Sequence, residues 1–234
     1  KNNSYNETPT IKTVLENKFN TQAINLSFKK IKKNKYDIAV IIGNGNYEKM
    51  GKDIPNVYPA YADADGIKKY FLQAKGIREG NIIFLKDATG SQLLSVFGNQ
   101  NNHKGKLFNW VKPKKSKVYI YYAGHGVPGG NKGNAYLVPI DADSQSISLS
   151  GYPLELLYSN LGKIPANSIT VILEACFSGV SQSGNLFVNA SPIVITAKKT
   201  MIPKNVKVIS AGAFDQMASW EMDKTHGLFT KYFL

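Results

Sequence analysis

The chain holds one cysteine, Cys176, and three histidines, His103, His125 and His226. A thiol does chemistry as a thiolate, either attacking an electrophile or binding a soft metal. With a single sulfur, an internal disulfide and a thiol–metal cluster are both excluded, so only the reactivity or the packing of Cys176 can matter. It closes the run Val171-Ile172-Leu173-Glu174-Ala175-Cys176, which is followed by Phe177-Ser178-Gly179. Fifty-one residues earlier, Tyr119-Ile120-Tyr121-Tyr122-Ala123-Gly124-His125-Gly126 repeats the form, with an imidazole between two glycines just past an apolar run. Small neighbours leave the ring, and the amide of Gly126, open to approach. An imidazole and a thiol so placed suit nucleophilic catalysis, in which the ring takes the thiol proton and the sulfur attacks an acyl carbon. Singly, each has a plainer account, a small buried hydrophobe and a structural ring. It is their joint occurrence at two strand ends that makes them catalytic candidates.

The elements that must position them follow from periodicity. Asp37–Ile42 is a continuous apolar run ended by Gly43-Asn44-Gly45-Asn46, the pattern of a central parallel strand buried on both faces. Tyr58–Gln73 reads as a helix, with Ala60, Ala64, Ile67 and Phe71 at three- and four-residue spacing. Further strands are expected at Asn81–Leu85, Lys117–Tyr122, Ser168–Leu173 and Val206–Ser210. Helices are expected within Ser91–Trp110, interrupted by a polar Gly98–Gly105 patch, over Pro153–Leu161 and from Leu228 onward. Strands alternating with helices imply a mainly parallel sheet covered on both faces, whose ligands gather beyond the carboxyl ends of the strands. Both candidate residues fall at such ends. Gly43-Asn44-Gly45 lacks the third glycine and the Lys-Ser/Thr of phosphate loops, so nucleotide binding carries little weight.

At 234 residues, 43% hydrophobic and 19% charged, the chain fits one globular domain. Residues 1–35 are rich in Lys, Asn and Thr and read as an extension, leaving 36–234 as the folded unit. No apolar run reaches the roughly 20 residues of a membrane span. The start without Met and without a leader pattern suggests a processed or excised piece, and the compartment is weakly constrained, with a lean toward the cytoplasm. Lys and Arg total 29 against 16 Asp and Glu, a net charge of +13 that would favour acidic partners. Five of those lysines crowd into Lys29, Lys30, Lys32, Lys33 and Lys35, where arginine and interleaved aromatics are missing. A solvated lead-in therefore accounts for them better than a nucleic-acid site.

Together these blocks resemble the caspase, metacaspase and paracaspase group of cysteine endopeptidases, over Tyr36 to Leu234. The resemblance rests on Ile38-Ala39-Val40-Ile41-Ile42-Gly43, Ala62-Asp63-Ala64-Asp65, the His125 and Cys176 blocks, Leu137-Val138-Pro139-Ile140-Asp141 and His226-Gly227-Leu228-Phe229-Thr230. The spacing between His and Cys matches the roughly 50 residues of caspases. Glu174 and Phe177 depart from the animal caspase signature and bring the chain closer to metacaspase-like bacterial members.

The resemblance implies a caspase-like three-layer sandwich with Cys176 as nucleophile, His125 as base and acid, and an oxyanion hole formed by the amides of Gly126 and Cys176. In members that cut after Arg or Lys, acids line the first specificity pocket, one two positions before the Cys and one at the start of the first long helix. Those positions are Glu174 and Asp63 here, with Asp65, two residues further on, as the alternative and Glu221 a contributor from a later wall. Cleavage after Arg or Lys is the expectation, and the partners are proteins or peptides carrying such a residue. Relatives are often cut within 185–204, where Lys198, Lys199 and Lys204 are candidate self-cleavage sites. Some metacaspase relatives require calcium, but no acidic cluster here is dense enough to predict it, so neither cofactor nor metal ligand is assigned. Two rival readings stand beside this one: a catalytically silent scaffold of the same fold, and a basic adaptor or nucleic-acid-binding module.

Overall fold

The computed structural model describes residues 19, 21–51, 53–129, 134–177, 180–181, 184–185, 200–212 and 218–234. Its strands are β1 Ile38–Gly43, β2 Ile82–Lys86, β3 Lys117–Ala123, β4 Gly126–Gly129, β5 Asn134–Leu137, β6 Tyr152–Pro153, β7 Ser168–Glu174, β8 Val180–Ser181, β9 Gly184–Asn185 and β10 Val206–Ser210. Its α-helices are α1 Ala60–Gln73, α2 Gly90–Phe97, α3 Lys106–Trp110, α4 Ile147–Ser150, α5 Leu154–Gly162 and α6 Leu228–Phe233.

Five strands form one parallel sheet in the order β10-β7-β3-β1-β2. β1 is buried at all six positions, as its unbroken apolar run requires. Alternate residues of each strand feed separate cores. Val40, Ile42, Ile120, Val171 and Leu173 face α2, α3 and α5, packing with Leu93, Leu107 and Leu157. Ala39, Ile41, Tyr121 and Ile172 face α1 and α6, packing with Ala60, Ala64, Ile67 and Phe71. Each aliphatic side chain withdrawn from water contributes roughly 1.5–3 kcal/mol. The result is the three-layer sandwich the alternation of elements implies.

Three local devices set the parts that matter for the site. At Gly43 a Cβ would lie 2.6 Å from the carbonyl of Ala60 and 2.9 Å from the Ala64 methyl, so glycine lets α1 approach the end of β1. Thr89 and Gln92 form a capping box at the start of α2, where Asp141 Oδ1 also accepts from the Gly90 amide at 2.8 Å. The chain leaving β3 turns into a small antiparallel sheet, β4-β5-β6, that the pattern of apolar residues did not announce.

The described part of the extension runs along α1. The Ile31 amide donates to Gln73 O at 3.1 Å, the Asn34 amide donates to Gly76 O at 2.7 Å, and Phe28 stacks edge-on against Tyr70. Lys29, Lys30, Lys32, Lys33 and Lys35 are exposed. Among the described residues no helix is long and apolar enough to cross a membrane.

Candidate active site at the carboxyl rim of the sheet

β3 and β7 are hydrogen-bonded neighbours with Ala123 opposite Glu174, so both chains leave the sheet at one level. His125 lies two residues beyond the first of these positions and Cys176 two beyond the second. The Gly124 amide still reaches Glu174 O at 3.4 Å. At Gly126 a Cβ would stand 2.6 Å from Cys176 O and 2.6 Å from the Phe177 ring, so the absence of a side chain is what permits this approach. Gly124 has φ +157°, beyond which the chain swings into β4.

His125 is held from every side. Its amide donates to the Tyr47 hydroxyl at 3.1 Å, and its carbonyl accepts from the Tyr122 hydroxyl at 2.8 Å and the Val138 amide at 3.0 Å. The Tyr47 ring lies 4.9 Å from the imidazole, centre to centre. Nε2 is 2.7 Å from Pro55 O. A carbonyl can only accept, so Nε2 carries the hydrogen and, in the neutral ring, Nδ1 carries the lone pair. Burial lowers the imidazole pKa to about 4, partly offset by the Pro55 bond, which leaves the ring neutral at pH 7.

Cys176 is partly buried, and among the described residues its sulfur bonds to Ala218: the Ala218 amide donates to Sγ at 2.7 Å, and Sγ reaches Ala218 O at 3.5 Å. No hydrogen bond joins the sulfur to His125. Burial pushes the thiol up to about 11, with the Ala218 amide pulling down and the charge of Glu174 pushing up. At rest the pair is therefore thiol and neutral imidazole, not thiolate and imidazolium.

Beside them two carboxyl groups converge on Gly227, where a Cβ would stand 2.6 Å from Glu174 Cδ and 2.9 Å from Asp63 Oδ2. Asp63, on the first turn of α1, is fully buried; its Oδ2 accepts from the Gly227 amide at 3.0 Å and its Oδ1 lies 3.1 Å from His226 Nδ1. Glu174 ends β7, and its Oε2 accepts from the amide and the hydroxyl of Thr230 at 2.6 and 2.7 Å. The other oxygen, Oε1, is buried and has no partner among the described residues. Burial raises Asp63 to about 6, and burial with the neighbouring Asp63 charge raises Glu174 to about 8. An orphaned acceptor on a buried carboxyl is a place that a donor, above all a cation, would fill.

A family-model comparison aligns residues 37–234 with the Caspase domain. The chain belongs to the caspase domain family. No curated protein matches it. Caspase domains are cysteine hydrolases, so cysteine peptidase action on protein substrates is the class of activity that membership carries.

Within this caspase domain the other predicted site residues fall unequally. Asp65 is partly exposed and paired with Lys86 at 2.8 Å, whereas Asp63 shares the space around Gly227 with Glu174. Glu221 is bonded to Lys231 and to the Thr225 hydroxyl, and its amide donates to His226 O. Lys204 is exposed ahead of β10, while Lys198 and Lys199 lie outside the described residues. Among the described residues no group of three or more His, Cys, Asp or Glu could hold a metal ion.

Sequence reasoning missed four contributors to the site of this caspase domain. Pro55 and Ala218 act through backbone atoms, which leave no residue-type signal. Tyr47 and Thr230 act through hydroxyls on chains 78 and 56 residues away from His125 and Glu174. Of the four, Thr230 alone belongs to a family motif, His226-Gly227-Leu228-Phe229-Thr230.

Proposed function

We propose that this caspase domain is a metacaspase-like endopeptidase that cuts after Arg or Lys through a Cys176–His125 dyad. The single observation that carries it is the Ala123–Glu174 register, which brings an imidazole and a thiol off adjacent strands at the same level. In this mechanism a peptide carbonyl enters beside Cys176 and displaces the contact with Ala218. Sγ bonds to the carbonyl carbon as its proton passes to His125 Nδ1, and the carbonyl electron pair moves onto oxygen, facing the amides of Gly126 and Cys176. Such donors contribute about 3–4 kcal/mol to a tetrahedral transition state where they have been removed singly. Collapse breaks the C–N bond, with the proton on His125 going to the departing amine. Water then adds to the thioester with His125 as base, releasing the acid and restoring the thiol. Pro55 O keeps Nε2 protonated throughout and so presents Nδ1 as the working atom.

The choice of a basic residue rests on the two acids around Gly227. Pairing a cation with the open Glu174 Oε1 removes an unsatisfied buried acceptor, whereas an aspartate side chain would bring a further carboxyl group to a site that already crowds two acids. Lys204, exposed, and Lys198 and Lys199 are then potential substrates of the enzyme itself. The test is a positional peptide library read against wild type and Cys176→Ala. Hydrolysis confined to Arg and Lys, lost by at least about a thousandfold in the variant, is the expected result. Hydrolysis after Asp would overturn the specificity, and undiminished hydrolysis by Cys176→Ala would overturn the dyad.

A further inference from the structure

The two acids of the pocket differ in how much charge they have left to offer. Both oxygens of Asp63 are engaged, one by the Gly227 amide and one by His226 Nδ1, while Glu174 keeps Oε1 open. The His226 side chain is 14% exposed, so its ring can exchange a proton with solvent while touching a fully buried carboxyl. We propose that His226 determines how the pocket ranks Arg against Lys: as a cation it pairs with Asp63 and leaves Glu174 alone to receive the substrate, and uncharged it leaves Asp63 available beside Glu174. This rests on the basic-side-chain reading above.

A guanidinium is a planar fork of five N–H donors that can engage two carboxylates at once, whereas an ammonium is a compact point charge satisfied by one. The second carboxylate therefore helps Arg more than Lys. Asp63 of α1 touches His226, Glu174 of β7 reaches the neighbouring Gly227, and Glu221, Asp223 and Lys224 belong to the same loop as His226, with Lys224 over the Tyr58 ring. Tyr121 from β3 lies behind Thr230, with its hydroxyl 2.6 Å from the Thr230 hydroxyl. Glu221 is already matched by Lys231 of α6, and Asp223 is fully exposed to solvent. Burial raises Asp63 to about 6 and Glu174 to about 8, so a pH scan would report on those two acids as well. Fixed-charge variants compared at one pH avoid that.

At pH 8, the ratio of kcat/KM for paired Arg and Lys reporters is expected to be at least about fivefold lower in His226→Lys than in His226→Gln. Both reporters share the nucleophile, so its protonation cancels in the ratio. Equal ratios for the two variants would overturn the proposal while leaving the peptidase reading in place. A second measurement uses the full chain with Cys176→Ala and follows the His226 ring by NMR with and without arginine amide. Binding and protonation are reciprocal, so the amide must shift the ring titration to lower pH; an unmoved midpoint overturns the proposal. If neither reporter is turned over by wild type, the peptidase reading fails and the NMR arm decides this inference alone.

Discussion

At the scale of single residues, the carboxyl of Glu174 is where structure and solvent disagree most. Folding removes it from water beside a second acid and gives one of its oxygens no donor among the described residues. Its proton is held more tightly in the folded chain, to about 8, than in the unfolded chain, near 4.5. The native state therefore binds more protons across that interval, and stability falls as pH climbs from about 5 to 8. Glu174→Gln removes the titrating group while an amide oxygen can still accept from Thr230. The variant is expected to unfold close to wild type at pH 5 and to be more stable at pH 8, by roughly 2 to 4 kcal/mol. Denaturant unfolding at the two pH values checks this, and a variant less stable at pH 8 than at pH 5 relative to wild type contradicts it. Under the proposed specificity, a basic side chain seated beside Glu174 would restore that stability. The identities of Cys176, His125, Asp63 and Glu174 were legible because each is a rare or charged type beside a recognisable strand or helix end. Their electrostatic state was not, because it depends on Ala218, Pro55 and Thr230, contacts made across the fold.

At the scale of elements, the loop between β1 and α1 carries the imidazole's support. Asp87, at φ +55°, accepts from the amides of Gly45 and Asn46 at 3.0 and 3.1 Å and from the Tyr61 hydroxyl at 2.6 Å. The Val57 amide closes the loop onto Gly45 O at 2.9 Å. This brace sets both Tyr47 and the Pro55 carbonyl against His125. The Tyr47 hydroxyl accepts from the His125 amide and donates to Val138 O at 3.0 Å, so Tyr47→Phe leaves a buried N–H unpaired. An orphaned buried donor costs about 1–3 kcal/mol. Thermal unfolding should show a loss of that size. Steady-state kinetics should show kcat reduced severalfold with KM nearly kept, since the change lies behind the ring and not at the pocket. Unchanged kcat would mean that Tyr47 supports the fold alone. The five parallel strands and α1, α2, α3, α5 and α6 were legible from period and punctuation, because their apolar runs are long and end in glycine or polar residues. The β4-β5-β6 sheet was not: its strands are two to four residues long, with Pro128 and two glycines in β4, too short for any period to register.

At the scale of the whole molecule, the charge is +13 while the proposed pocket is acidic. The two act over different distances. Asp63 and Glu174 are buried and reach a substrate only once it is seated, whereas exposed lysines such as Lys29, Lys30, Lys32, Lys33 and Lys35 belong to a field felt during approach. That field extends about 30 Å at 0.01 M salt and about 8 Å at 0.15 M. A peptide with one Arg at the cleavage position and acidic flanks is then drawn in, and the same Arg with basic flanks is held off. The acidic-flanked peptide is expected to show a kcat/KM at least about tenfold higher at low salt. Added salt should slow it and speed the basic-flanked one until the two converge, because screening removes steering but barely weakens a buried pair. Measuring both peptides across a salt series separates the two distances directly. Two rates that differ by the same factor at every ionic strength would place the discrimination in the pocket and its walls, and the lysines would have no part in substrate choice.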